Sequence, residues 1–230
     1  AITPIPTLDP PTEDPGREIP PVALKGYLEG LAYYRQYRWD EAATALRGAM
    51  VFDRDSGDIH GLLGRTLWRL GQLDDAEKHL RQAAQLTPGR PEIHATLGRL
   101  LHKRGAIDEA IFQWRLALPD NDEDPRSEVL LARRHLGQGL IEQGYLAAGI
   151  DQLQRYRHVT VQPRLAWLDH PELAPLIRQG DGPVIALIGR TCTRLGRYDQ
   201  GIALLEQAVA ADETNRAFRT DLIRALTLQG

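Results

Sequence analysis

Small residues return at fixed distances along this chain. Gly30, Gly64, Gly98, Gly137 and Gly189 fall 34, 34, 39 and 52 residues apart. A second column reads Tyr37, Gly71, Gly105, Gly144, Gly196 and Gly230, and a third reads Ala42, Ala76, Ala110, Gly149 and Gly201. Two more keep the same step: Leu46, Leu80, Trp114, Leu153 and Leu205, then Ala49, Ala83, Ala117, Tyr156 and Ala208. Five columns in one register mean that one structural unit is repeated, and this fixes the architecture before any motif is considered. Between the columns apolar residues recur at spacings of three and four, the helical period, and no stretch alternates as a strand does. Small residues on a helix face let a second helix approach closely. Glycine in the second column ends the first helix of each pair in a left-handed turn, and the next helix starts two residues later. Pro88 closes a second helix, and Pro91, Pro125 and Pro183 suit the first turn of the helix that follows.

The pattern of Leu-Gly (Leu63-Gly64, Leu97-Gly98), then Gly, then Ala, an apolar residue and Pro88 resembles the tetratricopeptide repeat family. The resemblance runs over residues 24–230: units 24–56, 57–90, 91–123, 130–163 and 182–215, an insertion at 164–181, and a terminal helix at 216–229. It implies an all-α, right-handed α-solenoid of about five helix pairs plus a C-terminal capping helix. It also implies a concave surface built from the first helix of each pair, and a non-catalytic scaffold that binds proteins or peptides. Departures are Arg54 and Asp122 where the closing Pro would stand, and Gly149 and Gly201 where the family prefers Ala, which are expected to loosen their units.

Residues 1–21 hold seven of the fifteen prolines and four acids, too few backbone donors and too little periodicity for a packed element, so a tail or linker is expected there. Such a segment inclines the reading toward an exported or periplasmic protein of bacterial origin. At 42% hydrophobic residues, the 230-residue chain has enough apolar side chain for a sizeable core. A net charge of -3 gives no global drive toward nucleic acid or an anionic membrane, and neither is expected as a partner. No apolar run reaches the roughly 18 residues of a spanning helix.

Read in the register of the glycine columns, two ladders of cations share one helix face, because residues four apart lie on the same side of a helix. Arg65, Arg99, Arg190 and Arg224 form the first; Arg69, Lys103 and Arg194 form the second, with Arg134 nearby. Tyr34, Trp68 and His102 add an aromatic stripe. A guanidinium offers a planar fork of donors that matches carboxylate and stacks on aromatic rings. The expected ligand of this groove is therefore a peptide or partner protein of acidic character. Asp58, Glu92 and Glu142 would neutralise part of the field.

Other constellations carry less. The pairs Asp40-Glu41, Asp74-Asp75 and Asp108-Glu109 stand at the starts of second helices, where negative charge favours the helix dipole. His60 and His94 recur at the same place in adjacent units, as packing residues do. His158, Asp169, His170 and Glu172 gather in the insertion without the spacing of a zinc site, and neither a metal nor a cofactor is expected. Leu165, Trp167, Leu168, Leu173 and Leu176 indicate that the insertion packs, with a short helix over 171–178. Ser56 and Ser127 lie in no nucleophile elbow. Cys192 excludes an internal disulfide and reads as a buried thiol. The rival readings are a self-associating structural module docking through its convex face, which would make the chain a homo-oligomer, and an enzyme with its site in the 158–181 insertion.

Overall fold

Apolar residues at helical spacing, broken by left-handed turns, produce α-helices wherever the columns place them. The computed structural model describes residues 20–161, 164–168 and 170–230; the proline-rich stretch 1–19 and Asp169 lie outside the described residues. The helices are α1 (Pro21–Arg35), α2 (Trp39–Phe52), α3 (Gly57–Arg69), α4 (Leu73–Leu86), α5 (Pro91–Lys103), α6 (Ile107–Leu116) and α7 (Ser127–Glu142). They continue as α8 (Leu146–Thr160), α9 (Leu165–Leu168), α10 (Leu173–Gln179), α11 (Gly182–Arg194), α12 (Tyr198–Ala211) and α13 (Arg216–Gln229). No strand occurs among the described residues.

The turn between paired helices is the same throughout. Gly71, Gly105, Gly144 and Gly196 have φ between 75° and 87°, and Tyr37 takes φ 61° in the first unit. At Gly71 the amide N–H donates to the Trp68 carbonyl and that of Gln72 to the Leu67 carbonyl, the two bonds that close a helix end on a left-handed residue. The acidic pairs occupy the first turns of α2, α4 and α6.

The chain divides at Leu100 into two units. In the first, α1 packs on α2 and α3 on α4, and α3 also rests on α2. Its core comprises Ala23, Ala42, Leu46, Ala49, Ile59, Leu63, Leu67, Leu80 and Ala83, each at most 2% exposed. The close approach foreseen from the glycine column is literal. A Cβ on Gly30 would lie 2.6 Å from Leu46, and one on Gly64 2.7 Å from Leu80, so the first column meets the leucine column.

In the second unit α7 pairs with α8 and α11 with α12, and α13 lies on α11 and α12. A Cβ on Gly137 would come 2.7 Å from Leu153 and one on Gly189 2.9 Å from Leu205. Gly149 and Gly201 do not loosen their units. A Cβ on Gly149 would stand 2.7 Å from the Gly137 carbonyl, and one on Gly201 2.9 Å from that of Gly189, so glycine there allows tighter helix contact.

The insertion packs, with two corrections to expectation. It holds two helices, the single-turn α9 and the longer α10, and Pro125 precedes α7 instead of entering its first turn. The Pro125 carbonyl accepts the Trp167 indole N–H at 2.8 Å. Trp167 and Leu173 join Leu130, Leu131, Leu153 and Val184 in one core, with Leu176 packed against it. Cys192 is fully buried in the same core, and burial pushes its thiol pKa up.

Candidate basic and aromatic face

In the first unit the structure assembles five of the sequence-predicted residues. Arg65 on α3 lies over the ring of Tyr34 on α1, its guanidinium carbon 5.2 Å from the ring centroid. Arg99 on α5 repeats this over Trp68 on α3 at 5.7 Å. The aromatic residue of one repeat thus carries the arginine of the next, which is why the two columns are offset. Arg69 lies 5.7 Å over Trp39, and Trp39 meets Tyr34 edge-on at 5.0 Å, joining the two stacks. Trp39 escaped the reading of the sequence because it sits at the first position of a second helix. The left-handed turn at Tyr37 swings it back toward α1, and the Tyr37 and Trp39 rings touch at 5.6 Å.

Each stacked pair is worth about 0.5–2 kcal/mol. A guanidinium over an aromatic ring is attracted by the ring's negative face, and its hydrogen bonds run in its own plane. All of these side chains except Tyr37 are partly buried, which strengthens their fields relative to water. Asp58 is drawn to Arg90 at 2.8 Å. Tyr27 is half-buried beside them, its hydroxyl pKa raised first by burial and then by Asp58.

The second unit treats its predicted residues one by one. His102 bonds Glu142 at 2.7 Å and packs on Trp114, which also stacks on His135. Arg190 pairs with Asp221 at 3.2 Å. Lys103, Arg194 and Arg224 are exposed, while Arg134 is half-buried against Gln138.

The histidines have structural duties. His60 and His94 each bond, through Nε2, a carbonyl six residues earlier, that of Arg54 at 2.8 Å and that of Pro88 at 2.7 Å. His60 also shares a 2.8 Å Nδ1 to Nδ1 contact with His79, whose pKa is lowered to about 4, first by burial and then by His60. In the insertion, His170 Nδ1 accepts the backbone N–H groups of Glu172 and Leu173 and so opens α10. His158 is exposed near Glu123. Among the described residues no group of three or more potential metal ligands converges, and no helix is long and apolar enough to cross a membrane.

Three models described as tetratricopeptide repeat match residues 27–91, 71–134 and 183–215. No curated protein matches the chain by sequence. Among solved structures it is similar to MamA protein, with 17% identity and a TM-score of 0.63 over 84% of this chain and 92% of that one. It is similar also to YrrB, described as a TPR protein with an unusual peptide-binding site, with 14% identity and a TM-score of 0.67 over 89% of this chain and 92% of that one. Pseudomonas aeruginosa PilF matches at 14% identity and a TM-score of 0.63, over 90% and 84% of the two chains. At these identities the likeness is one of fold, a helical solenoid.

Proposed function

The chain belongs to the tetratricopeptide repeat family, and from that premise we propose that it is a non-catalytic scaffold that holds an acidic peptide, or an acidic segment of a partner protein, against α1, α3 and α5. The observation that carries this reading is the repeated stack of Arg65 on Tyr34 and Arg99 on Trp68, tied to Arg69 through Trp39. These guanidinium groups are partly buried, the condition under which a charge-assisted bond to carboxylate gains most. The rings add flat apolar surface for the peptide's aliphatic parts. That the fold accommodates peptides is supported by its likeness to YrrB.

The test uses an array of labelled acidic decapeptides, the tightest binder then being measured by anisotropy at low and high salt. Joint replacement Arg65→Glu and Arg99→Glu is expected to weaken binding at least tenfold, since each charge-assisted bond contributes about 1.5–3 kcal/mol, and to flatten the salt dependence. Unchanged affinity and slope would dispose of the reading.

One observation favours the rival of self-association. Val51 and Phe52, at the end of α2, are 67% and 60% exposed. Sedimentation decides it: oligomers that grow with concentration and survive high salt support the rival, and their absence removes it.

A further inference from the structure

The unit that is followed by the insertion is also the one whose fifth column breaks. Where the others carry Ala49, Ala83, Ala117 and Ala208, this unit has Tyr156. Tyr156, Thr160 and Val161 at the end of α8 meet Leu176 and Ile177 of α10 and Asp181 of the following turn around a cavity of about 250 Å³. Leu176 and Ile177 are partly buried and packed on the core. Val161 stands at the mouth, 72% exposed.

Tyr156 is a costly choice for mere filling. The residue is only 4% exposed, yet its hydroxyl meets no hydrogen-bond partner among the described residues. Phenylalanine would supply the same ring without a polar atom to desolvate. The phenol oxygen is not among the polar atoms sealed from solvent, as the Trp114 indole nitrogen and Arg133 Nε are, so it opens on the cavity that its side chain lines. Burial, the first cause, raises its pKa, and the hydroxyl keeps a proton to donate.

Two acceptors share the wall. Thr160 Oγ1 donates its proton to the Tyr156 carbonyl at 3.0 Å and keeps its lone pairs. Asp181 receives Arg157 Nε and Nη2 on one oxygen, Oδ2, at 3.2 and 3.0 Å, which leaves Oδ1 able to accept and the ion pair neutral as a whole. One donor, two acceptors and three apolar side chains suit an uncharged molecule with an apolar body and a hydroxyl head. An anion would meet Asp181, and an ammonium would compete with Arg157 for it. An apolar cavity of about 150 Å³ already takes benzene, so the volume here admits a substituted ring.

We propose that this cavity binds a small hydroxylated hydrocarbon of about the size of phenol, whose hydroxyl accepts from Tyr156 and donates to Asp181 Oδ1 while its carbon body lies against Val161, Leu176 and Ile177. The inference does not rest on the peptide reading.

Phenol and toluene match in shape and in the number of non-hydrogen atoms, and differ in the hydroxyl. The whole chain is titrated with each compound, as wild type and as Tyr156→Phe, and followed by the methyl resonances of Val161, Leu176 and Ile177. In wild type these methyls should shift saturably, and phenol should bind about tenfold more tightly than toluene, although toluene is the more hydrophobic of the two. Tyr156→Phe should reverse that order. Without either compound it should melt at or above the temperature of wild type, since no hydrogen bond is lost. A lower melting temperature would show that the hydroxyl has a structural partner and would end the proposal. So would equal affinities for phenol and toluene in wild type, an undiminished preference for phenol in Tyr156→Phe, or saturable shifts elsewhere with these three methyls unmoved. The Arg65→Glu, Arg99→Glu double variant should respond to phenol as wild type does, so failure of the peptide face and failure of this cavity are told apart.

Discussion

At the scale of single residues, the columns are records of distance. Where Gly64 stands, the nearest foreign atoms to an added methyl are the Leu80 side chain at 2.7 Å and the Leu80 backbone nitrogen at 3.0 Å, and backbone cannot step aside. Gly64→Ala should therefore destabilise by about 1–3 kcal/mol through overpacking, in spite of alanine's better helix propensity. Gly48, in the middle of α2 and exposed, has nothing within 4 Å of the same added methyl. There the propensity term acts alone, and Gly48→Ala should stabilise by about 0.5–1 kcal/mol. Chemical denaturation of the two variants checks the signs. Two glycines in helices, one forbidden to change and one improved by it, differ only in what lies opposite, and a helix propensity scale would score them equally.

At the scale of elements, the long turn before α7 is pinned by one carboxylate. Asp122 bonds the buried guanidinium of Arg133 at 3.1 Å and also that of Arg155 on α8. Both hydrogen bonds hold its carboxyl below the usual aspartate range. The depressed value means that stability is fully present above the unfolded-state pKa, about 3.9, and is lost as pH falls through the lower folded-state value. Asp122→Asn should cost about 1–2 kcal/mol near pH 7, mainly by leaving Arg133 buried without its anion, a figure kept low because Asp122 itself is more than half exposed. The gap between variant and wild type should begin to narrow at about pH 4 and narrow further as the pH falls below that, and urea titrations at pH 7, at pH 3.5 and at lower pH measure it. Nothing in the sequence announces this clasp. Asp122 read as a missing proline, since its partners lie 11 and 33 residues away and no periodicity links them. The helix pairs were legible because their contacts recur in every unit. The Tyr34, Arg65, Trp68 and Arg99 stacks were legible as columns, but the offset of one repeat between ring and cation was not, because it depends on how successive pairs are stacked. Trp39, the joint between stacks, occurs once and belongs to no column.

At the scale of the molecule, a chain of repeated helix pairs is expected to have a stability that adds along the sequence and does not arise from one shared core. Phe218 tests this. It is the main anchor of α13, 7% exposed in a cluster with Ile185, Ile202, Leu205 and Ala225, while Ile223 and Leu226 on the same helix are 65% and 48% exposed. Phe218→Ala removes about 3–5 kcal/mol of packing at that one contact. A globular protein with a single core would lose protection everywhere by that amount. Here amide hydrogen exchange should rise steeply in α13 and the facing turns of α12, while the amides of α3 and α4 keep their wild-type rates, because in an additive array a terminal repeat opens on its own. Equal acceleration across all helices would show a single cooperative unit. The linear picture would then fail, and with it the expectation that the charge reversals at Arg65 and Arg99 act on the first unit without disturbing α11 to α13.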